Sequence, residues 1–319
     1  MAIYLSEDDV RRIVTMPMAL EAVEAALKAH ALGRAIDVPR QRTRLPQTQL
    51  HILQGALPDA NVIGYKAYTS SREGIRFQVH LFAADSGRRL AVIAADYLGM
   101  MRTGAASGVA TRWLARPEAE VAGVFGAGWQ AEGHLEAIAA VRRLRQIKVF
   151  ARQRDRLQAF CVRMSERLGV AVVAVASAEE AVRDSDLVGT VTTAAKPLFE
   201  ADWLGAGTHI NAAGSNALNR QEIDEATVRR CDLICVDSVE VALREAGDLF
   251  PLLEKGRLHA GQLVPLGQVI AGGHAGRGEA SAVTLFESQG MAILDLALAV
   301  RILAAAKELG LGQDLPFSE

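Results

Sequence analysis

The sequence predicts an α/β protein in which a Rossmann doubly wound parallel sheet is joined to a smaller α+β domain. Three observations carry this expectation. Beyond Arg116-Pro117, apolar runs of strand length alternate with helix-length amphipathic segments. The first of those runs leads directly into a glycine-rich turn that opens a helix. Ahead of them, from Ile36 to about Leu90, brief strand-like runs are broken by Pro46, Gly55, Pro58, Gly74 and Gly87, the grammar of an antiparallel or mixed sheet.

At the N-terminus, Ser6 with Asp9 three residues on can cap a short helix. Pro17 suits the first turn of a second helix, which carries Leu20, Val23 and Leu27 on one face and ends at Gly33. In the following region, residues 77–82 alternate in part. The parallel strands are expected at residues 121–125, 147–151, 170–175, 187–191, 209–213 and 233–236, with crossovers that include 130–141, 154–168 and 178–182. A last strand at 283–286 precedes a long helix from Met291 to about Leu309, expected to pack back on the first domain. The domain reading is therefore 1–116, completed by about 297–319, and 117–296.

Composition narrows the function. The chain has 319 residues, half of them apolar, and a formal charge of −2, enough for a substantial core and without the basic footprint of a nucleic-acid binder. No apolar stretch approaches the ~20 residues of a membrane span, and the start lacks a basic leader with an apolar core, so the chain reads as cytosolic with no membrane partner. Cys161, Cys231 and Cys235 are too few for a disulfide framework and poorly spaced for zinc; no metal site is expected. The partner is a small molecule.

The glycine turn is Gly126-Ala127-Gly128-Trp129-Gln130-Ala131, a G-x-G-x-x-A sequence between strand and helix. Gly126 permits the tight turn, Gly128 lets backbone approach a pyrophosphate, and Ala131 lets helix and strand pack closely. Trp129 and Gln130 open the helix whose unpaired N–H groups would receive the phosphates. An acid that would grip the adenosine ribose is missing at the end of the second strand, where Phe150-Ala151-Arg152-Gln153-Arg154 stands instead. Arg152 can pair with a 2′-phosphate, which places NADP ahead of NAD as cofactor, with NAD still open. Thr192 follows a buried strand at its carboxyl end, the edge where ligands bind in such sheets.

Further motifs occur in order: Gly64-Tyr65-Lys66, Met101-Arg102-Thr103-Gly104-Ala105-Ala106-Ser107, the glycine turn, His209-Ile210-Asn211-Ala212-Ala213-Gly214, Val236-Asp237-Ser238, and Leu285-Phe286-Glu287-Ser288-Gln289-Gly290 with Asp295. Together they resemble the ornithine cyclodeaminase and mu-crystallin family over nearly the whole chain. The resemblance implies cyclodeaminase, amino-acid dehydrogenase or ketimine reductase activity, in homodimers or larger assemblies formed through the smaller, substrate-binding domain.

Residue by residue, Arg102 resembles the family arginine that holds the substrate α-carboxylate, and Arg42, with Arg40 and Arg44 as alternatives, a second arginine that assists it. Lys66 resembles the catalytic lysine, and Thr103 and Ser288 fall at cofactor-binding positions. Where cyclodeaminases resemble each other in an aspartate, this chain has Ser215, which can hydrogen-bond substrate but cannot serve alone as a base. The resemblance thus favours reduction of a small carboxylated imine, or the equivalent amino-acid dehydrogenation, over ammonia release. A non-catalytic NADP(H)-binding role, as in crystallins, is the remaining alternative. His80, lone in its strand, reads as a structural histidine.

Overall fold

The cap at Ser6 forms as the sequence predicts, behind a short strand that the sequence pattern does not announce. The computed structural model describes residues 2–316. After strand β1 (Ala2–Leu5), Ser6 Oγ accepts from Asp9 N at 3.2 Å while Ser6 N donates to Asp9 Oδ2 at 3.0 Å, a reciprocal cap on helix α1 (Glu7–Ile13). Helix α2 (Met16–Ala31) carries Pro17 in its first turn and buries Leu20, Val23 and Leu27. Gly33, at φ +70°, ends it.

Strands β2 (Ile36–Arg44), β3 (Thr48–Leu57), β4 (Val62–Ser71), β5 (Gly74–Ala83) and β6 (Arg89–Ala94) form an antiparallel meander. Helix α3 (Asp96–Leu114) follows, an element the sequence pattern does not announce. It is buried on nearly every side, so no polar stripe marks its period. Arg142 closes its C-terminus, donating to the carbonyls of Thr111 at 2.8 Å and Ala115 at 2.9 Å.

The parallel sheet then begins with β7 (Val121–Phe125), α4 (Trp129–Val141), β8 (Gln146–Phe150), α5 (Arg154–Leu168), β9 (Ala171–Ala174), α6 (Ala178–Val182), β10 (Leu187–Thr190) and β11 (His209–Ala212). It continues through α7 (Glu225–Arg230), β12 (Leu233–Val236), α8 (Val239–Glu245), α9 (Phe250–Glu254), the short β13 (Leu263–Pro265), α10 (Leu266–Ile270) and β14 (Thr284–Glu287). The eight strands lie in the order β13-β12-β14-β11-β10-β7-β8-β9 and are parallel throughout. Apolar clusters fill both of its faces, one around Phe125, Phe199 and Leu285, the other around Leu135, Phe160 and Met164. Cys161, Cys231 and Cys235 are free thiols, and burial pushes them up to about 11, about 12 and about 12.

Helix α11 (Ala292–Leu309) and strand β15 (Gln313–Leu315) return to the first sheet. That sheet runs β15-β1-β6-β5-β4-β3-β2 and is mixed, since β1 pairs parallel with β6. Residues 103–290 form one compact unit and the described residues on either side form the other. The division falls inside α3 rather than at Pro117, and at Gly290 rather than near 296. The cause on the first side is that the C-terminal part of α3 packs with the parallel sheet's layers: Asn211 Nδ2 donates to Thr111 Oγ1 at 3.0 Å, and a Cβ on Gly104 would strike the backbone of Gly133. Among the described residues, no helix is long and apolar enough to cross a membrane.

Candidate active site

Two glycines set the position of α11 in the first unit. A Cβ on Gly55 would lie 3.0 Å from Ile293 Cγ2, and one on Gly64 would lie 3.1 Å from Leu296 Cδ2. The helix therefore lies close on this face of the sheet, and Asp37 Oδ1 fixes its start by accepting from Ile293 N at 3.1 Å. One turn on, Asp295 meets Lys66 of β4. Its Oδ1 accepts from Lys66 Nζ at 3.0 Å and from Arg102 Nε, on α3, at 3.0 Å. Lys66 is 2% exposed, Arg102 8% and Asp295 wholly buried. A side chain at Gly99 would sit 3.2 Å from the same amine.

Burial lowers the Lys66 pKa most, Asp295 opposes it, and the charges of Arg102 and Arg40 lower it further, leaving it at about 8. A lysine brought that near neutrality can give and take a proton under physiological conditions. The amine also lies 4.8 Å from the centroid of the Phe77 ring.

The three candidate arginines of β2 are not equivalent. Arg42 pairs in register with His51, and Leu53 with Lys66. Arg40's charge reaches Lys66 as well as His51, whereas Arg42 and Arg44 act on His51. His51 stacks on Tyr68 at 4.2 Å between centroids. Burial first, and then Arg42, Arg40 and Arg44, lower its pKa to about 4, so it is neutral. His80 pairs with Tyr65 and stacks on it at 4.6 Å, on the sheet face opposite Lys66.

The second unit carries the predicted dinucleotide residues. Gly126 has φ +113°, open to glycine, and a Cβ there would lie 3.0 Å from Val191 O. Gly128 is the N-cap of α4 and makes no side-chain cap, and a Cβ on it would meet no described atom within 4 Å. At Gly128 the turn thus faces open space at a helix N-terminus, which fits an anionic pyrophosphate. Ala131, in the first turn of α4, is wholly buried, while Trp129 and Gln130 are exposed. Arg152 stands exposed past the end of β8, and Thr103 is partly buried on α3.

The remaining predicted residues are held by their own surroundings. Ser215 is buried, its Oγ 3.4 Å from both Ala217 O and Arg220 O. Ser288 Oγ donates to Asp237 Oδ2 at 3.0 Å. Thr192 donates from both N and Oγ1 to Glu222 Oε1, at 2.6 and 2.7 Å. The carboxylates of Asp295, Glu222 and Asp237 are functional candidates to which sequence reasoning gave no role. For two of them a signal is present in the sequence: an acid just past an apolar strand, as in Val236-Asp237, or inside an apolar helix, as in Leu294-Asp295-Leu296.

Comparison with known proteins shows the family and the fold. The model of the "Ornithine cyclodeaminase/mu-crystallin family" matches residues 2–309. A Delta(1)-pyrroline-2-carboxylate reductase of Bacillus cereus is 33% identical, the match covering 99% of this chain and all of the relative. The structure of Thermococcus litoralis Delta(1)-pyrroline-2-carboxylate reductase in complex with NADH and L-proline superposes with TM-score 0.94 at 32% identity, over 98% of this chain and 100% of that one. An archaeal alanine dehydrogenase dimer with bound NAD gives TM-score 0.93 at 30% identity, covering 99% of both chains.

Proposed function

Because the chain belongs to the ornithine cyclodeaminase/mu-crystallin family, we propose that it is an NAD(P)H-dependent reductase of a small carboxylated imine. A cyclic ketimine such as pyrroline- or piperideine-2-carboxylate is the substrate class, and L-amino-acid dehydrogenation is the same reaction reversed. The observation that carries this reading is the buried Lys66–Asp295–Arg102 cluster, an amine near neutrality beside a fixed guanidinium.

In this reading Arg102 holds the substrate carboxylate, whose planar oxygens suit a forked donor, and Arg42 assists. Arg40, the β2 arginine whose charge reaches Lys66, shares that task. A reduced nicotinamide, when bound, supplies a hydride to the imine carbon. Lys66 delivers the proton to the imine nitrogen, so that C=N becomes CH–NH and the lysine is left neutral. In the reverse direction neutral Lys66 removes that proton. Asp295 keeps the amine charged enough to act as an acid, and Ser215 shapes the turn beside the substrate.

For the dinucleotide, Gly126, Gly128 and Ala131 form the pyrophosphate turn with Trp129 and Gln130 at the helix start, and Thr103, Thr192 and Ser288 support the nicotinamide end. Arg152 takes the 2′-phosphate, which makes NADPH the preferred reductant over NADH. A homodimer through the first unit is supported by the sheet face turned away from α11, which exposes Ile36, Leu50 and Ile63.

The test is to incubate the purified protein with NADPH or NADH and, in turn, five- and six-membered cyclic imino acids, pyruvate with ammonia, and ornithine. Oxidation of the cofactor with a cyclic imino acid supports the proposal. Ammonia release from ornithine without net cofactor consumption would replace it with a cyclodeaminase.

A further inference from the structure

One carboxylate in the second unit ties two turns together at the carboxyl edge of the parallel sheet. Glu222 is wholly buried. Its Oε1 accepts from Thr192 N at 2.6 Å and Thr192 Oγ1 at 2.7 Å, and its Oε2 from Gly214 N at 2.9 Å. Thr192 follows β10 and Gly214 follows β11, and these strands are neighbours beside β7. The turn at Thr192 also abuts the glycine turn, because a Cβ on Gly126 would lie 3.4 Å from Thr192 Cγ2. Only glycine fits at 214, where a side chain would collide with the Glu222 carboxylate.

The carboxylate is itself held from behind. Asp248 Oδ1 accepts from Glu222 N at 2.6 Å and from Ile223 N at 2.9 Å. Asp237 and Glu287 are buried nearby, and four acids in one buried region cannot all be ionised. Burial, and then the charges of Asp248, Glu222 and Asp237, raise Glu287 well above the usual carboxylate range, and Glu287 shares a hydrogen bond with Asp248. Burial raises Glu222 too, and its hydrogen bonds from Thr192 and Gly214 oppose that rise: two N–H groups and a hydroxyl, the donor set that suits an anion, all point at it.

We propose that Glu222 is a positioning residue of the dinucleotide site, a strap that fixes the backbone of Thr192 and Gly214 next to the glycine turn. This rests on the reading of the chain as a dinucleotide enzyme. Ligands of open α/β sheets lie past the carboxyl ends of the strands, so a loose turn at Thr192 disorders the surface that a dinucleotide must cover. Its loss acts on cofactor affinity before it acts on the imine.

The test uses Glu222→Gln, which keeps the shape but puts an NH2 group against either Thr192 N–H or Gly214 N–H. NADH affinity is followed by fluorescence, with KM for the imine and kcat measured at saturating NADH. The strap predicts about a tenfold rise in the NADH Kd, the scale of losing a hydrogen bond to a charged group, with the imine KM within twofold. Thr192→Val, which leaves every acid in place, raises the NADH Kd about threefold, and in the double variant it adds nothing to Glu222→Gln. If Glu222→Gln does not fold, Glu222→Asp, which keeps the charge but withdraws it from the two turns, takes its place in the same cycle. An unchanged Kd in Thr192→Val, or fully additive losses in the double variant, overturns the strap. If the unmodified protein binds neither NADH nor NADPH, the dinucleotide reading itself falls, and the strap with it.

Discussion

The two buried charged clusters are built on opposite plans. In the first unit a single acid, Asp295, serves two cations, Lys66 and Arg102, through one oxygen. In the second unit Glu222, Asp237 and Asp248 accept mainly from backbone N–H groups. A charge held by another side chain can change partner or protonation during a reaction. A charge held by backbone donors fixes a turn instead. The first plan suits chemistry and the second suits shape, which is why we propose proton transfer for the first unit and cofactor support for the second.

Removing the reactive charge should separate the two most sharply. Lys66→Ala is expected to lower kcat/KM for imine reduction by about 10²–10⁴, the usual weight of a positioned general acid, while NADH affinity measured by fluorescence stays within twofold. Asp295→Asn leaves two buried cations without their shared partner. Urea unfolding is expected to show a loss of about 3–5 kcal/mol, and the alkaline limb of the rate profile to move to lower pH because a counter-charge that raises the Lys66 pKa is gone. Arg102→Ala should raise the imine KM by about tenfold or more, through loss of a hydrogen-bonded charge pair with the carboxylate, and leave the NADH Kd unchanged. The smallest effect is expected from Arg152→Ala: about a tenfold fall in kcat/KM with NADPH, none with NADH, as steady-state comparison of the two cofactors would reveal.

How legible these regions were differs for a physical reason. The parallel strands and their crossovers stand out because a strand buried on both faces is an unbroken apolar run, and its helices are amphipathic. The predicted segments at 121–125 and 233–236 coincide with β7 and β12, and 283–286 is displaced by one residue from β14. Helix α3 was invisible because nearly all of it is buried, and β1, β13 and β15 because three or four residues carry no period. Lys66 and Arg102 were legible through motif resemblance alone. Their dependence on Asp295 was not, since that partner lies 229 residues from Lys66 and only α11, seated on Gly55 and Gly64, brings it there. Glu222 likewise sits in a stretch with no regular structure, and its meaning comes from Thr192 and Gly214, whose N–H groups converge on it only in the fold.

The central claim is that the Lys66 ammonium gives its proton to the imine. Its most direct test is the pH dependence of kcat/KM in both directions, for the unmodified protein and for Lys66→Ala. With the amine at about 8, reduction needs the charged form and should fall as pH rises through about 8, while amine oxidation needs the neutral form and should rise over the same interval. Both limbs should vanish in Lys66→Ala. Limbs that persist unchanged in that variant would contradict the account.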